Sequence, residues 1–178
     1  MAFAAAREFG HQLASLCLLA ALSLACGLVL NRFRSAPLPL LYRTPEQRLE
    51  RQLSELVKNP PFRITLEETI GLGDFQRAVA DRRTLVLDAR PSPFYEEGHV
   101  PGALNLSREN FARDFRRLQT VLRHAKERPI VVYCSGGSCH DSKLVAGALL
   151  SLGFTSVKVF TGGWEEWKNA GLTVSRHP

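Results

Sequence analysis

The stretch Pro129-Ile130-Val131-Val132-Tyr133-Cys134-Ser135-Gly136-Gly137-Ser138-Cys139-His140-Asp141-Ser142 decides the fold of this chain. Its first residues form an apolar, β-branched run that reads as a strand buried on both faces. The Gly- and Ser-rich segment that follows reads as a loop feeding a helix from about Ser142 to Leu152. Upstream, Thr84-Leu85-Val86-Leu87 has the same strand character and Phe111 to Arg123 has helical periodicity. Downstream, Ser156 to Phe160 reads as a strand and Trp164 to Asn169 as a helix. Strands separated by helices imply an α/β fold with a parallel sheet. Ligands of such sheets bind at the carboxyl ends of strands, so chemistry is expected just after Leu87 and Tyr133.

The chain has 178 residues, 45% hydrophobic and 22% charged, with a formal net charge of +6. That length accommodates one ordinary domain and an appendage, which excludes a two-domain enzyme. The charge is too modest for a disordered chain or for a nucleic-acid binder declared by composition. Half of the basic excess lies in residues 32 to 60, where Arg32, Arg34, Arg43, Arg48, Arg51 and Lys58 face Glu46, Glu50 and Glu55. A basic stretch beside an apolar run suits an anionic membrane surface, so a membrane is an expected partner and nucleic acid is not.

The apolar run is Leu13 to Leu30, without a charged residue. As a helix it spans about 27 Å, close to the hydrocarbon thickness of a bilayer. It continues through Gly27 to Leu30, past the small residues where a signal peptide would be cut, and so reads as an uncleaved anchor. The expected organisation is a transmembrane anchor at 1–31, a basic Pro-containing linker at 32–61 and a globular domain at 62–178. Within the linker, Ser35-Ala36-Pro37-Leu38-Pro39 reads as a tether. Pro45 to Lys58 reads as a short amphipathic helix capped by Thr44, with Leu49, Leu53 and Leu56 on its apolar face. The cations after the span, Arg32, Arg34, Arg43 and Arg48 against Arg7 before it, place the globular domain in the cytoplasm by the retention of positive flanks.

Cys17 and Cys26 lie inside the apolar run, leaving Cys134 and Cys139 for chemistry in water. A cysteine between a buried strand and a Gly-rich loop that opens a helix is placed to act as a nucleophile. The backbone of Ser135, Gly136, Gly137, Ser138 and His140 can form an anion cradle that favours the thiolate of Cys134. Cys139 is a candidate resolving thiol, provided the two Cα atoms come within about 7 Å. Two cysteines and His140 in one loop lack the spacing of a zinc site, so neither a metal nor another cofactor is expected.

Four segments together carry a family resemblance: Val86-Leu87-Asp88-Ala89-Arg90, Tyr95-Glu96-Glu97-Gly98-His99-Val100-Pro101-Gly102-Ala103-Leu104-Asn105, the Cys134 loop, and Gly162-Gly163-Trp164 with Trp167. In this order and register they resemble the successive motifs of the rhodanese domain, over roughly residues 62 to 174. The resemblance implies a five-stranded parallel sheet flanked by helices. It also implies sulfurtransferase activity, with Cys134 carrying a persulfide between a sulfane-sulfur donor and a thiol acceptor; it names no protein partner. Asp88, Arg90 and His99 are expected as supporting, scaffolding residues, with Trp164 and Trp167 in core and helix packing.

The sequence departs from the family at two places. Many thiosulfate-using rhodaneses carry an arginine five positions after the cysteine, and related phosphatases carry one at six; Cys139 and His140 stand there instead. Bidentate anion recognition is lost, which weighs against thiosulfate as donor and more heavily against phosphatase activity. Phe94 replaces the usual acidic residue six places after Asp88, so Arg90 is expected to pair with Glu96 or Glu97. The alternative to turnover is a tethered thiol redox or sulfide sensor using the Cys134/Cys139 pair, and a binding module retaining only the fold is a third reading.

Overall fold

The computed structural model describes residues 2–35, 37–38 and 43–176, with side chains from His11 onward. The chain divides into two compact units, Met1–Arg43 and Thr44–Pro178. The first is dominated by helix α1 (Ala2–Arg32). Its segment His11–Arg32 has a mean hydropathy of 2.5. Among the described residues it is the one helix long and apolar enough to cross a membrane. Ala36 and Pro39 of the expected tether lie outside the described residues.

The second unit contains strands β1 (Thr69–Ile70), β2 (Leu85–Asp88), β3 (Leu104–Asn105), β4 (Ile130–Tyr133) and β5 (Val157–Phe160). They form one sheet in the order β1-β5-β4-β2-β3, and every pairing is parallel. The helices are α2 (Pro45–Lys58), α3 (Leu72–Ala80), α4 (Ser92–Glu97), α5 (Phe111–Arg117), α6 (Gln119–Arg123), α7 (Asp141–Ser151) and α8 (Gly163–Asn169). The strands of the central trio are covered on both faces, which is why they read as continuous apolar runs.

Side chains alternate across each strand, and this alternation sorts the interior into two cores. Leu85, Leu87 and Ala89 join Ile130, Val132 and Cys134, then Val157 and Val159, on the face covered by Leu53, Phe111, Leu122, Val145 and Leu149. Val86, Val131, Tyr133 and Phe160 face the other way, against Phe75, Val100 and Trp167. There, Phe75 stacks on Phe160 at 4.3 Å between ring centroids.

Three features differ from the sequence expectation. The strands β1 and β3 are only two residues long, too short to show a period. The helix expected over 111–123 is two helices, because the backbone at Leu118 turns to φ −88°, ψ 4°. The amphipathic helix α2, which the sequence assigns to the linker, packs on the domain. Leu53 and Val57 are each 3% exposed in the first core, whereas Leu49 is 44% exposed.

Helix α2 starts where Thr44 caps it: the Thr44 hydroxyl accepts from the Gln47 amide at 3.3 Å, and the Gln47 side chain accepts from the Thr44 amide at 3.1 Å. Such reciprocal capping satisfies two donors that a helix end leaves orphaned. An ion pair between Glu50 and Arg116 at 2.9 Å links α2 to α5. Past α2 the chain crosses α7 at Gly147, where any Cβ would overlap the Phe62 carbonyl oxygen and the Pro60 ring.

Because Leu53 fills a core position and Leu49 does not, Leu53→Ala should cost about 2–5 kcal/mol of unfolding free energy. Leu49→Ala should stay within about 0.5 kcal/mol. Denaturant unfolding of the full chain in detergent, read by tryptophan fluorescence, checks the contrast; equal losses would place α2 off the core.

Candidate active site

Cys134 follows directly on β4, the middle strand of the sheet, and is 2% exposed. Strand alternation sends its side chain to the face shared with α2, α5 and α7. The loop behind it is held by backbone: the Cys134 carbonyl accepts from the Trp164 amide at 2.8 Å and the Ser135 carbonyl from the Glu165 amide at 2.9 Å. The loop and the Gly162-Gly163 turn approach so closely that only glycine fits. Gly136 has φ +108° and Gly163 φ +62°. A Cβ on Gly136 would overlap the Gly162 carbonyl oxygen, and one on Gly163 would overlap the Gly136 amide and the Cys134 carbonyl. The Gly162-Gly163-Trp164 motif is thus the platform on which the cysteine loop rests.

Cys134 and Cys139 are joined as a disulfide, with Cα atoms 6.5 Å apart. A turn from the Cys139 amide to the Gly136 carbonyl, 3.1 Å, sets this span. The Cys139 amide is therefore occupied. The amides of Ser135, Gly136, Gly137, Ser138 and His140 donate to no protein acceptor among the described residues. Of these residues Ser135, Gly137, Ser138 and His140 are exposed, whereas Gly136, expected in the same cradle, is buried with its amide against Gly163. The buried Ser142, 2% exposed, places its Oγ 3.3 Å from Cys134 Sγ. A disulfide sulfur has no proton to give, so the hydroxyl is the donor.

Asp88, Arg90 and His99 gather on the opposite face of the sheet. Asp88 is fully buried and Arg90 is 4% exposed. Their ion pair closes at 2.6 Å between Nη2 and Oδ2, with Nε donating to both carboxylate oxygens at 3.1 Å. Tyr133 donates its hydroxyl to the same Oδ2 at 2.6 Å and accepts from the Val100 amide at 3.1 Å. Arg90 also donates to the Gly98 carbonyl at 2.7 Å, so its partners are Asp88 and this carbonyl, not Glu96 or Glu97. Residues two apart along an extended backbone share a side, which brings Asp88 and Arg90 together. His99 stacks on Tyr95 at 3.9 Å and has Nδ1 2.9 Å from the Tyr95 carbonyl, while its backbone pairs with Ser175.

These three residues brace the Gly98–Gly102 turn and β4 from behind; they do not surround the sulfur. Burial, the Asp88 charge and the hydrogen bond to Asp88 push the Tyr133 phenol well above its ordinary range. Trp167 lies in the second core, and its Nε1 donates to the Thr173 carbonyl at 2.9 Å. Trp164 is only partly buried. It lies 4.7 Å beneath the Arg90 guanidinium and lines a cleft of about 380 Å³ with Phe94, Gly98, Ser135 and Lys168. Ser135 is the part of the cysteine loop that reaches this cleft.

Two residues that contact the cysteine loop or the helix it opens escaped the sequence reading. Ser142 carried a signal, since it sits in the first turn of the helix that the loop opens. Arg108 carried none: its amide donates to the Ala89 carbonyl at 3.1 Å, and its guanidinium pairs with Asp141 of α7 at 3.7 Å. Both contacts depend on the crossover from β2 to β3.

The Rhodanese-like domain family matches residues 72–170. A thiosulfate sulfurtransferase GlpE of Coxiella burnetii is 37% identical over 91 residues, which cover 51% of this chain and 77% of that protein. A tRNA uridine(34) hydroxylase of Buchnera aphidicola is 34% identical over 59 residues, 33% of this chain; the chain spans only 19% of that relative. In fold, a Bacillus halodurans protein of known crystal structure superposes with a TM-score of 0.53 at 23% identity, over 75% of this chain and 87% of the other.

Two outcomes follow from this geometry. A phenol held protonated in the native state binds its proton more tightly than in the unfolded chain, so the stability it confers is complete below the ordinary tyrosine value of 10.0 and declines as pH rises beyond it. Alkaline unfolding should therefore begin above about pH 10, and Tyr133→Phe should flatten that limb. A denaturation series across pH 8–12 reads it. Gly136→Ala should destabilise the fold by about 1–3 kcal/mol or more, through overpacking and left-handed strain. A matched change at the exposed Gly137, whose Cβ meets nothing, should cost less.

Proposed function

The chain belongs to the rhodanese-like domain family, and from that premise we propose that it is a membrane-anchored sulfurtransferase whose Cys134 carries a persulfide. In this reading the Cys134 thiolate attacks a sulfane sulfur, keeps it as Cys134–S–SH, and yields it to an acceptor thiol. The observation that supports it is the placement of Cys134: buried at the carboxyl end of β4, with a hydroxyl at 3.3 Å and a loop of unengaged amides. Those donors would favour sulfur in its anionic form. The relationship to a protein named thiosulfate sulfurtransferase points to the same chemistry.

The donor follows from charge. Thiosulfate is a compact dianion that is best held by a fixed guanidinium. The loop supplies Cys139 and His140 in the two positions where one would stand, and Arg108 is already paired with Asp141. A neutral or singly charged sulfane-sulfur donor, such as a small persulfide or a short hydropolysulfide, suits this site better. The same deficit argues against phosphoryl transfer. The apolar helix α1 is taken as the anchor, and the cations that follow it, Arg32 and Arg34, favour a cytoplasmic active site.

A second reading is supported by the disulfide itself: a thiol switch or sulfide sensor that cycles between Cys134–Cys139 and the dithiol without turnover. The two separate in one experiment. The reduced full chain in detergent micelles is given polysulfide or thiosulfate and a dithiol acceptor, while transferred sulfur and intact mass are followed. The expected result is turnover with polysulfide ahead of thiosulfate, falling by about three orders of magnitude or more in Cys134→Ser. Turnover that survives this substitution overturns the nucleophile assignment. A reversible disulfide with no sulfur transferred by the wild type assigns the site to sensing.

A further inference from the structure

We propose that the pair Cys134 and Cys139 gives this domain a second activity, reductive release of its bound sulfane sulfur as hydrogen sulfide. The inference rests on Cys134 accepting sulfur as described above. It concerns where that sulfur goes.

Cys134 is buried whereas Cys139 is only partly so, and the two sulfurs meet in the folded loop. A cysteine of the same chain therefore stands within bonding reach of Cys134. Its Cα is held 6.5 Å from that of Cys134, within the span that bridged cysteines adopt. The turn from the Cys139 amide to the Gly136 carbonyl keeps it there. An internal thiol so placed acts at an effective concentration of about millimolar or above, with its approach already oriented.

The step is a thiol–disulfide exchange on the inner sulfur of the persulfide. The Cys139 thiol gives up its proton and its sulfur attacks Sγ of Cys134. The Sγ–S bond breaks, and the outer sulfur leaves with the bonding pair as HS⁻, which takes the proton. The balance is Cys134–S–SH + Cys139–SH → Cys134–S–S–Cys139 + H₂S. The sulfane sulfur is reduced to sulfide while the two cysteines end as the disulfide seen here. A dithiol reductant, by exchange through a mixed disulfide, returns both thiols and is itself oxidised to a disulfide. Over a full cycle one sulfane sulfur and one dithiol are consumed, and one sulfide and one disulfide are formed. Ser142, with its hydroxyl 3.3 Å from Sγ, contacts the sulfur under attack.

The test uses the full chain in detergent micelles, reduced, freed of reductant and kept anaerobic. One equivalent of inorganic polysulfide is added with no acceptor thiol, and samples are quenched with an alkylating reagent. The wild type should release one more sulfide per chain than Cys139→Ser and become two hydrogens lighter. Cys139→Ser and Cys139→Ala should retain one extra sulfur on Cys134, with a lifetime at least about tenfold longer, because the internal thiol is gone. A wild type that holds its persulfide as long as the variants overturns the proposal, as does an extra sulfur appearing on Cys139, which would mean attack on the outer sulfur. If the Cys139 variants never gain sulfur, the sulfurtransfer reading fails, and this step fails with it.

Discussion

The two-residue period of β4 is the constraint on which the site depends. It turns Tyr133 to one side of the sheet and Cys134 to the other, and each face then locks the strand in its own way. On the first face Tyr133 donates to Asp88, whose charge is buried and balanced by Arg90. A buried carboxylate with an arginine and a phenol as partners is tolerable only while all of them are in place, since losing one leaves an uncompensated charge. A register slip of one residue would take Tyr133 out of this network and turn Cys134 into the wrong core. The polar cluster behind the sheet thereby sets where the sulfur points.

The front of the site is held by main chain. Trp164 and Glu165 donate their amides to the carbonyls of Cys134 and Ser135, and the glycines at 136 and 163 let the two backbones touch. Support of this kind leaves the outer amides of the loop unspent. The loop's charge is weaker than its geometry, because the fixed guanidinium expected of a thiosulfate site is missing and a second thiol stands in its place.

Around this centre the globular unit is completed by a helix that looks, in sequence, as though it belongs to the connection with helix α1. Helix α2 contributes Leu53 and Val57 to the core that also contains Cys134. Burying two such side chains is worth about 1.5–3 kcal/mol each, so the folded unit begins at Thr44 rather than at residue 62. The apolar helix α1 is a separate unit, with its own apolar surface exposed.

Much of this protein is legible in the sequence because it depends on neighbours along the chain. The apolar runs around Leu87 and Val132, the Thr44-Pro45 helix start, the uncharged stretch from Leu13 to Leu30 and the cysteine between strand and Gly-rich loop are all local signals, and the elements appear close to where they were expected. The two-residue strands β1 and β3 exist only because longer strands pair with them, and no local pattern marks them. The side on which α2 lands, the Gly98 carbonyl as a partner of Arg90, and the pairing of Arg108 with Asp141 were decided by tertiary structure. Each depends on the register of parallel strands joined by crossovers, which brings together residues whose separation in the chain carries no information about their distance in space.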